Sequence, residues 1–269
     1  MTRTVRPPRG RGCAHETDLP PDILYHATTT GRMDRARQTG VLEVSRGQPV
    51  FLSETEEAAW RVAHRLNGEP TVLFVDASKA RRDGLRFERV RPGLWAVGPL
   101  SARYVLNLHP GFAEQASAGG FLLWEGPDGP ELALIKVSRR VGATWEVAKG
   151  KMEPCETPVQ TCLREICEEM GLPMERADGM EIVSTLGRVR YGFQTPSGDP
   201  RLKTLHLYLV KVAERWSAFS PSRSEGILEV GWFTPAEALR LVHHRSLRPL
   251  MEDLYRKLAF RGPERGEDI

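Results

Sequence analysis

The sequence predicts an α/β (α+β) protein made of two domains, and three observations lead to this fold class. Its 269 residues suit two domains of ordinary size, and 40% of them are hydrophobic, enough to bury a core in each. Short apolar, β-branched runs alternate with segments of helical period in both halves. A short stretch rich in Gly, Ala, Ser and Glu separates the halves. The expected parts are a disordered basic tail 1–20, a first domain 21–108, a linker 109–120, a second domain 121–260 and a tail 261–269.

The bulk composition argues against several classes of protein. No run approaches the roughly 18 apolar residues of a membrane span. The segment Met1–Arg11 is rich in Arg and Pro, which indicates an unstructured basic tail rather than a secretory signal; a nucleic-acid arm is the alternative. The net charge of +3 predicts no strong field toward nucleic acid. Zinc and disulfides are disfavoured and a cytoplasmic location is expected, because no Cys-x-x-Cys spacing or paired framework links Cys13, Cys155, Cys162 and Cys167.

The first domain, from Asp22 to about Leu108, is expected to mix short strands with one or two helices. Apolar and β-branched residues predict strands at Ile23–Tyr25, Pro49–Leu52 and Thr71–Asp76. Glu54–Leu66 predicts a helix, with Ser53 as its N-cap and acidic residues in its first turn.

The second domain is expected to open with a hairpin. The strand Phe121–Trp124 leads into a turn at Gly126–Gly129, and Leu132–Val137 returns as its partner. Further strands and helices follow the same patterns. They are the strands Leu205–Val212 and Leu228–Phe233 and the helices Pro235–Val242 and Leu247–Leu258.

The clearest element of the chain is a helix over Pro158–Met170. Thr157 suits the N-cap, Pro158 suits the first helical position, and Gln160 completes a capping box. Gly171 suits the C′ position, where it would end the helix. One face forms a buried stripe, in which the two cysteines are interpreted as small core residues. The stripe contains Val159, Cys162, Leu163, Ile166, Cys167 and Met170.

Three glutamates occupy another face of this helix. Glu165, Glu168 and Glu169 stand at i, i+3 and i+4, where carboxylates are neighbours and repel each other. A bound divalent cation such as Mg²⁺ removes this repulsion, because hard cations prefer oxygen ligands. The alternative interpretation is a solvated acidic face without a ligand.

The segment Gly150–Leu172 resembles the Nudix box, Gly-x5-Glu-x7-Arg-Glu-U-x-Glu-Glu-x-Gly-U, where U is a bulky aliphatic residue. It implies a Nudix α/β/α sandwich with a mixed sheet, whose loop–helix–loop holds Mg²⁺ or Mn²⁺ against a diphosphate. Ahead of the box, Ala148 stands where many members have Pro, a departure that we expect to be harmless. The fixed positions are all matched, by Gly150, Glu156, Arg164, Glu165, Ile166, Glu168, Glu169, Gly171 and Leu172.

The resemblance implies metal ligands and an activity. Glu165, Glu168 and Glu169 are the implied ligands and catalytic groups, one of them activating water. Gly150 permits close approach of the backbone to metal and phosphate. The implied activity is hydrolysis of a phosphoric anhydride bond in a nucleoside diphosphate linked to another moiety. An ADP-ribose-like compound and a dinucleoside polyphosphate are both members of that class.

Supporting roles follow from the same motif. Arg164 is expected to orient the neighbouring carboxylate by a charge-assisted hydrogen bond, and Glu156 to brace the loop. Gly171, the last fixed position before Leu172, is expected to end the helix. Outside it, Glu225 and Glu229 are candidates for an extra base or ligand, although exposed loop carboxylates without a role are an equal alternative.

The first domain resembles a second family. Leu24–Thr29 is similar to the Tyr-His-Gly-Thr opening of ADP-ribosyltransferase folds. Together with later segments it resembles the NAD-binding lobe of RNA 2′-phosphotransferases over residues 22–108, which implies a small ADP-ribosyltransferase-like α+β domain. The later segments, in order, are Arg46, Val50–Glu54, the helix with Ala58, Val72–Ala77 and Gly93–Trp95.

The second resemblance implies an NAD or ADP-ribose site. His26 at a strand end is expected to bind a ribose hydroxyl, Arg46 a pyrophosphate, and Ser53, at a helix N-terminus, an oxygen acceptor. Two departures are Phe51, where the phosphotransferases carry a second His, and Ala27, which replaces Gly.

Two further hypotheses concern the first domain. Only about 20 residues precede Asp22, too few for the lobe that holds the RNA 2′-phosphate. NAD or ADP-ribose binding is therefore favoured over RNA phosphate transfer, and a small-molecule nucleotide over RNA as partner. The alternatives to a Nudix hydrolase are an NAD-dependent ADP-ribosyl- or 2′-phosphotransferase with an accessory Nudix domain, or a first domain that binds without catalysis.

Overall fold

A computed structural model describes residues 19–42, 48–139, 142–242 and 244–259. The chain divides into two compact units, Met1–Leu108 and His109–Ile269. Three of the sequence predictions fall outside the described residues. They concern Arg46, residues 1–18 of the expected first tail, and the expected tail 261–269. Within the described residues, no helix is long and apolar enough to cross a membrane.

The first unit is an α+β structure built on a five-stranded sheet. The sheet has the order β4-β1-β3-β6-β5, and every neighbouring pair is antiparallel. Two short strands, β2 and β7, pair separately. The strands are β1 (Ile23–Thr29), β2 (Val41–Leu42), β3 (Val50–Ser53), β4 (Pro70–Asp76), β5 (Glu88–Arg91), β6 (Leu94–Val97) and β7 (Leu100–Ser101), and the helices are α1 (Thr30–Thr39), α2 (Glu56–Ala63) and α3 (Ala77–Arg82).

The predicted N-cap of α2 is wrong. The sequence places it at Ser53, but Thr55 caps the helix, and its side chain accepts a hydrogen bond from the Ala58 amide at 3.2 Å. Ser53 instead ends β3, where it pairs with Tyr25 on one side and Leu94 on the other. Because its backbone belongs to the sheet, Ser53 cannot present a helix N-terminus to a ligand.

The second unit contains a seven-stranded mixed sheet. Its main order is β10-β9-β8-β13-β12, with β11 added beside β8 and β14 beside β9. Only the β8–β13 pair is parallel among these pairings. The strands are β8 (Ala113–Gly126), β9 (Gly129–Arg139), β10 (Gly142–Glu146), β11 (Ala148–Lys151), β12 (Met180–Gln194), β13 (Pro200–Val212) and β14 (Ile227–Phe233).

Helices cover both faces of this sheet. Helix α4 (Pro158–Met170) packs on one face, and α5 (Pro235–Leu241) and α6 (Arg248–Ala259) pack on the other. Successive side chains of β8 point to opposite faces of the sheet and so contribute to both hydrophobic cores. Leu122 faces α4, whereas Phe121 and Leu123 face the opposite layer. The second unit is therefore an α/β/α sandwich with a mixed sheet.

Helix α4 has the predicted bounds and caps. The side chain of Thr157 accepts from the Gln160 amide, and the Gln160 side chain closes the capping box. Gly171 ends the helix in the left-handed conformation, with φ 67° and ψ 45°. Cys162 and Cys167 are free thiols buried in the core beneath the helix, as the stripe predicts.

The predicted linker 109–120 is wrong from residue 113 onward. Ala113–Gly126 is one continuous strand, so the second sheet begins before Phe121. Two of the small residues that suggested a linker are required by close neighbours. A Cβ on Gly119 would lie 2.1 Å from the Ala148 carbonyl oxygen, and one on Gly120 would lie 2.8 Å from the sulfur of Cys162.

Candidate active site

One arginine connects the loop before α4 to the acidic face of the helix. The guanidinium of Arg164 donates to Glu156 from Nε at 2.7 Å and from Nη2 at 2.9 Å. Its Nη1 donates at 2.8 Å to Glu165 and at 2.8 Å to Glu168. Nη2 also donates to the Lys151 carbonyl at 2.9 Å. All the described donors of Arg164 are therefore committed to fixing this loop and these carboxylates.

Glu156 is the anchor of the loop. Besides Arg164, it accepts from the Thr161 hydroxyl at 2.8 Å and from the Glu153 amide at 2.9 Å. The hydrogen bond from Arg164, followed by that amide, lowers the pKa of Glu156 to about 2. Its carboxylate is therefore ionised across the whole neutral range.

Glu165, Glu168 and Glu169 form what we call the carboxylate cluster. Glu165 is only 8% exposed and Glu169 only 9%, whereas Glu168 is half exposed. Burial raises the pKa of Glu165, and it raises that of Glu169 to about 7. The Glu169 carboxylate accepts the Lys149 amide at 2.6 Å. Two buried carboxylates next to each other are unfavourable unless positive charge compensates them.

Gly150 leaves room for the cluster. A Cβ built on Gly150 would lie 1.9 Å from both carboxyl oxygens of Glu165. No side chain fits there without moving that carboxylate. The backbone of β11 therefore approaches the cluster directly, as the glycine at this position allows.

The donors of the cluster fit a hard divalent cation, because all of them are carboxylate oxygens. In the described part of the chain, no three His, Cys, Asp or Glu side chains lie at metal-binding separations from one another. Arg164 holds Glu165 and Glu168, and the Lys149 amide holds Glu169. These partners occupy oxygens that a cation would take.

The two late candidates, Glu225 and Glu229, differ in their surroundings. Burial is the main cause of the raised pKa of Glu165 and Glu169, and the nearby charge of Glu225 adds to both. The charge of Glu225 therefore acts on the carboxylate cluster. Glu229 instead forms an ion pair with Lys136 at 3.2 Å.

The candidate residues of the first unit lie on two neighbouring strands. His26 of β1 is 7% exposed, and its Nδ1 donates to the Phe51 carbonyl of β3 at 2.9 Å. Burial lowers the pKa of His26, so the ring is neutral and its Nε2 is an acceptor. Ser53 is equally buried at the end of β3, next to Tyr25 in register. The sequence gives no signal for the Phe51 carbonyl, because a backbone partner leaves no trace in residue type.

The fold and the site define a class. The second unit is an α/β/α protein in which a glycine loop leads into a capped helix with a carboxylate cluster. Residues 114–254 match the model of the NUDIX domain, which is more than half of the 269-residue chain. The chain belongs to the NUDIX domain family, and its second unit is a Nudix hydrolase domain.

Relatives of both halves are known. A protein of Mycobacterium tuberculosis (strain CDC 1551 / Oshkosh), named as the mutator protein MutT4, is 32% identical over 157 residues, 55% of this chain and 59% of that protein. A protein of Acaryochloris marina (strain MBIC 11017), named as an RNA 2′-phosphotransferase, is 34% identical over 108 residues, 39% of this chain and 59% of that protein. That second match falls in the N-terminal region. The chain thus spans less than two thirds of these curated relatives.

A solved structure is also similar to the chain. It is the Ap4A hydrolase of C. elegans in a binary complex, with 19% sequence identity. The match covers 54% of this chain and 98% of that one, with a TM-score of 0.43.

Proposed function

We propose that the second unit catalyses metal-dependent hydrolysis of a nucleoside diphosphate linked to another moiety. The observation that carries this proposal is the placing of two buried carboxylates beside β11, with Glu165 against the bare backbone of Gly150 and Glu169 on the Lys149 amide. Such an arrangement is costly in a purely structural helix, and a divalent cation offsets the cost. The family membership supports the same activity.

In this proposal each residue of the site has a separate role. Glu165, Glu168 and Glu169 hold Mg²⁺ or Mn²⁺ through their oxygens, and Gly150 leaves space for the metal and a phosphate. The metal, when bound, neutralises phosphate oxygens and lowers the pKa of a bound water. Arg164 positions Glu165 and Glu168 and stays charged throughout. The oxygen of water forms a new bond to one phosphorus, and the bond from that phosphorus to the bridging oxygen breaks.

Glu225 is the proposed extra base. It ends the short 3₁₀ helix Arg223–Glu225 before β14, outside the helix motif, and its charge acts on the carboxylate cluster. A base there accepts the proton of the attacking water, since one unliganded carboxylate is needed for this step.

The test uses the full chain with ADP-ribose, diadenosine tetraphosphate and NAD, each with and without Mg²⁺. We expect cleavage only with metal, seen by ³¹P NMR, and ¹⁸O from labelled water in one phosphate product. Glu168→Gln should lower turnover at saturating Mg²⁺ by at least 100-fold, because an amide is a poorer ligand. The exposed Glu181→Gln is the matched control and should keep full activity. Unchanged turnover of Glu168→Gln contradicts the site.

The first unit carries a second proposal, which is binding of NAD or ADP-ribose. The similarity of the N-terminal region to RNA 2′-phosphotransferases supports it, together with the buried pair His26 and Ser53 on adjacent strands. A transferase that consumes NAD releases ADP-ribose derivatives, and these contain the bond that the second unit is proposed to cut. Joining both units in one chain raises the local concentration of such a product.

Calorimetry on the full chain tests this second proposal. The Glu168→Gln background prevents hydrolysis of the ligand during the titration. We expect heat with NAD in metal-free buffer, where the metal-dependent second unit should not bind it, and loss of that heat on adding His26→Ala. The exposed His64→Ala is the control for histidine removal. Heat that persists in the His26→Ala variant places the ligand elsewhere in the chain.

A further inference from the structure

Residues 213–226, which we call the return segment, connect β13 to β14. In the sheet, β13 ends level with Glu131 of β9, whereas β14 begins level with Val137 of the same strand. These two levels are about 20 Å apart along a strand. The return segment therefore runs back along the sheet over that distance, and it ends in the short 3₁₀ helix Arg223–Glu225.

Trp232 of β14 contacts the return segment in two ways. Its indole Nε1 donates to the Trp216 carbonyl at 2.7 Å. Its ring also lies 6.4 Å from the ring of Phe219, measured between centroids. Trp216 is buried in the core beneath α4, and the rings of Phe219 and Trp232 pack against the same core. A side chain of the sheet therefore fixes a backbone group of the segment.

Gly171, at the C-terminal end of α4, meets the same segment farther along. A Cβ built on Gly171 would lie 1.7 Å from the Ser220 carbonyl oxygen. The left-handed backbone of Gly171 favours glycine, although asparagine is also found in that conformation. The contact with Ser220 is a separate requirement, because it leaves no room for any side chain. The backbone of the return segment thus lies directly against the end of the carboxylate helix.

Glu225, near the end of the return segment, depends on this backbone for its position. The Gly226 carbonyl accepts from the Ser138 amide of β9 at 2.8 Å. The Glu225 side chain is exposed, and among the described residues no group forms a hydrogen bond or an ion pair with its carboxylate. Its charge nevertheless acts on the carboxylate cluster. Since no side-chain partner directs it there, the course of the segment must do so.

We propose that Trp232 and Gly171 are positioning residues, which hold the return segment so that Glu225 reaches the attacking water at the carboxylate cluster. This inference rests on the proposed function, in which Glu225 is the base. A base is effective only within hydrogen-bond reach of the proton that it accepts. A displacement of about 1 Å, caused far from the reacting atoms, costs on the order of 100-fold in rate. Trp232 and Gly171 therefore act on the reaction through Glu225.

The kinetic test is a double-mutant cycle on the full chain, with ADP-ribose and with diadenosine tetraphosphate in saturating Mg²⁺. Trp232→Phe keeps an aromatic ring and removes the donor to Trp216. We expect kcat to fall about 5- to 50-fold, with KM changed less than about twofold. Glu225→Gln should lower kcat by about 100-fold or more. Adding Trp232→Phe to Glu225→Gln should then change kcat by less than about twofold, because the group that Trp232 positions is already gone.

The matched control for the cycle is Trp60→Phe. It makes the same change of atoms in the first unit, where the indole of Trp60 donates to Glu56 at 3.3 Å. We expect it to leave kcat as in the wild type. Equal factors for Trp232→Phe in the wild-type and Glu225→Gln backgrounds would show that Trp232 acts on stability or elsewhere in the site, and would overturn the inference.

Hydrogen exchange tests the same inference without turnover. The amides of Glu225, Gly226 and Ile227 donate to carbonyl groups of the return segment. We expect these three amides to exchange about 3- to 10-fold faster in Trp232→Phe and in Gly171→Ala, with exchange in α6 unchanged. Unchanged exchange of the three amides in both variants overturns the inference. A wild-type chain without hydrolysis, or a Glu225→Gln variant with full kcat, instead contradicts the proposed function, and the exchange data then still decide whether Trp232 and Gly171 hold the segment.

Discussion

The guanidinium of Arg164 donates to both carboxylate oxygens of Glu156, at 2.7 and 2.9 Å, from two different nitrogens. The third nitrogen of the same group reaches Glu165 and Glu168. This pattern requires the planar guanidinium of arginine, because a single side chain must hydrogen-bond to the loop and to the helix at the same time. The position of the carboxylate cluster therefore depends on a residue that is not one of its proposed ligands.

Arg164→Lys should lower kcat/KM and the apparent Mg²⁺ affinity by about 10- to 100-fold, as loss of a supporting partner does in other metal sites. Lysine has the charge but cannot make the paired contact with Glu156 and also reach the cluster. The measurement is activity as a function of Mg²⁺ concentration. The control, Arg176→Lys, alters an exposed ion pair with Glu214 and should change nothing. Equal Mg²⁺ curves for wild type and Arg164→Lys contradict this role.

Gly150→Ala should disable the site while the fold is kept. The new Cβ would meet the Glu165 carboxyl at 1.9 Å, so that carboxylate must move away from its partners. We expect activity to fall at least tenfold with an unchanged circular dichroism spectrum. Gly179→Ala is the matched control, because a Cβ there meets nothing within 4 Å and its φ is not positive. An active Gly150→Ala enzyme would show that Glu165 tolerates displacement.

The features that could be predicted from sequence are those fixed by neighbours along the chain. The caps of α4, its buried cysteines and the spacing of Glu165, Glu168 and Glu169 all depend on residues a few positions apart. The hydrogen bond from the Lys149 amide to Glu169 joins residues 20 positions apart through backbone, which leaves no pattern in residue types. The close approach of Gly171 to the Ser220 carbonyl arises in the same way.

Two errors have a related physical cause. Ser53 and Thr55 are both good helix caps by residue type, and the extent of β3 decides between them. Residues 113–120 resemble a linker in composition partly because Gly119 leaves room for the backbone of β11 and Gly120 for the thiol of Cys162. Tertiary contacts, rather than local preference, determine these positions.

His26 should remain neutral to a lower pH than a solvent-exposed imidazole, because its pKa is lowered. Burial is the main cause of its lowered pKa, and the hydrogen bond to Phe51 only partly opposes it. The folded pKa lies below the unfolded value of about 6.5, so the proton favours the unfolded state. The stability that neutral His26 contributes is fully present above pH 6.5 and is lost as the pH falls from that value through the lower folded pKa. NMR titration of the imidazole Cε1–H signals in the full chain measures this pKa.

The same argument predicts the behaviour of a variant. His26→Gln should reduce the pH dependence of the amide protection factors in β1 and β3 between pH 7.5 and 5.5. This holds whatever the substitution does to stability at neutral pH. The exposed His64→Gln should leave that dependence as it is. A His26 signal that titrates at or above pH 6.5 would show that the ring is not held in its neutral form.

Mg²⁺ should stabilise the second unit, and the carboxylate cluster should account for the effect. A ligand that binds only the native state adds RT ln(1 + [L]/Kd), which is about 2.7 kcal/mol at a hundredfold excess over Kd. The unfolded chain should bind the ion poorly, because Glu165, Glu168 and Glu169 converge only when α4 is helical. Replacing all three by Gln should change the metal-free stability little, because it removes the repulsion between neighbouring charges but also the ion pairs of Arg164 with Glu165 and Glu168. The same triple variant should lose the response to Mg²⁺. Melting curves of the full chain, with and without Mg²⁺ at constant ionic strength, measure both effects, and Glu181→Gln serves as the control. A triple variant that keeps the whole metal-induced shift would place the cation elsewhere in the molecule.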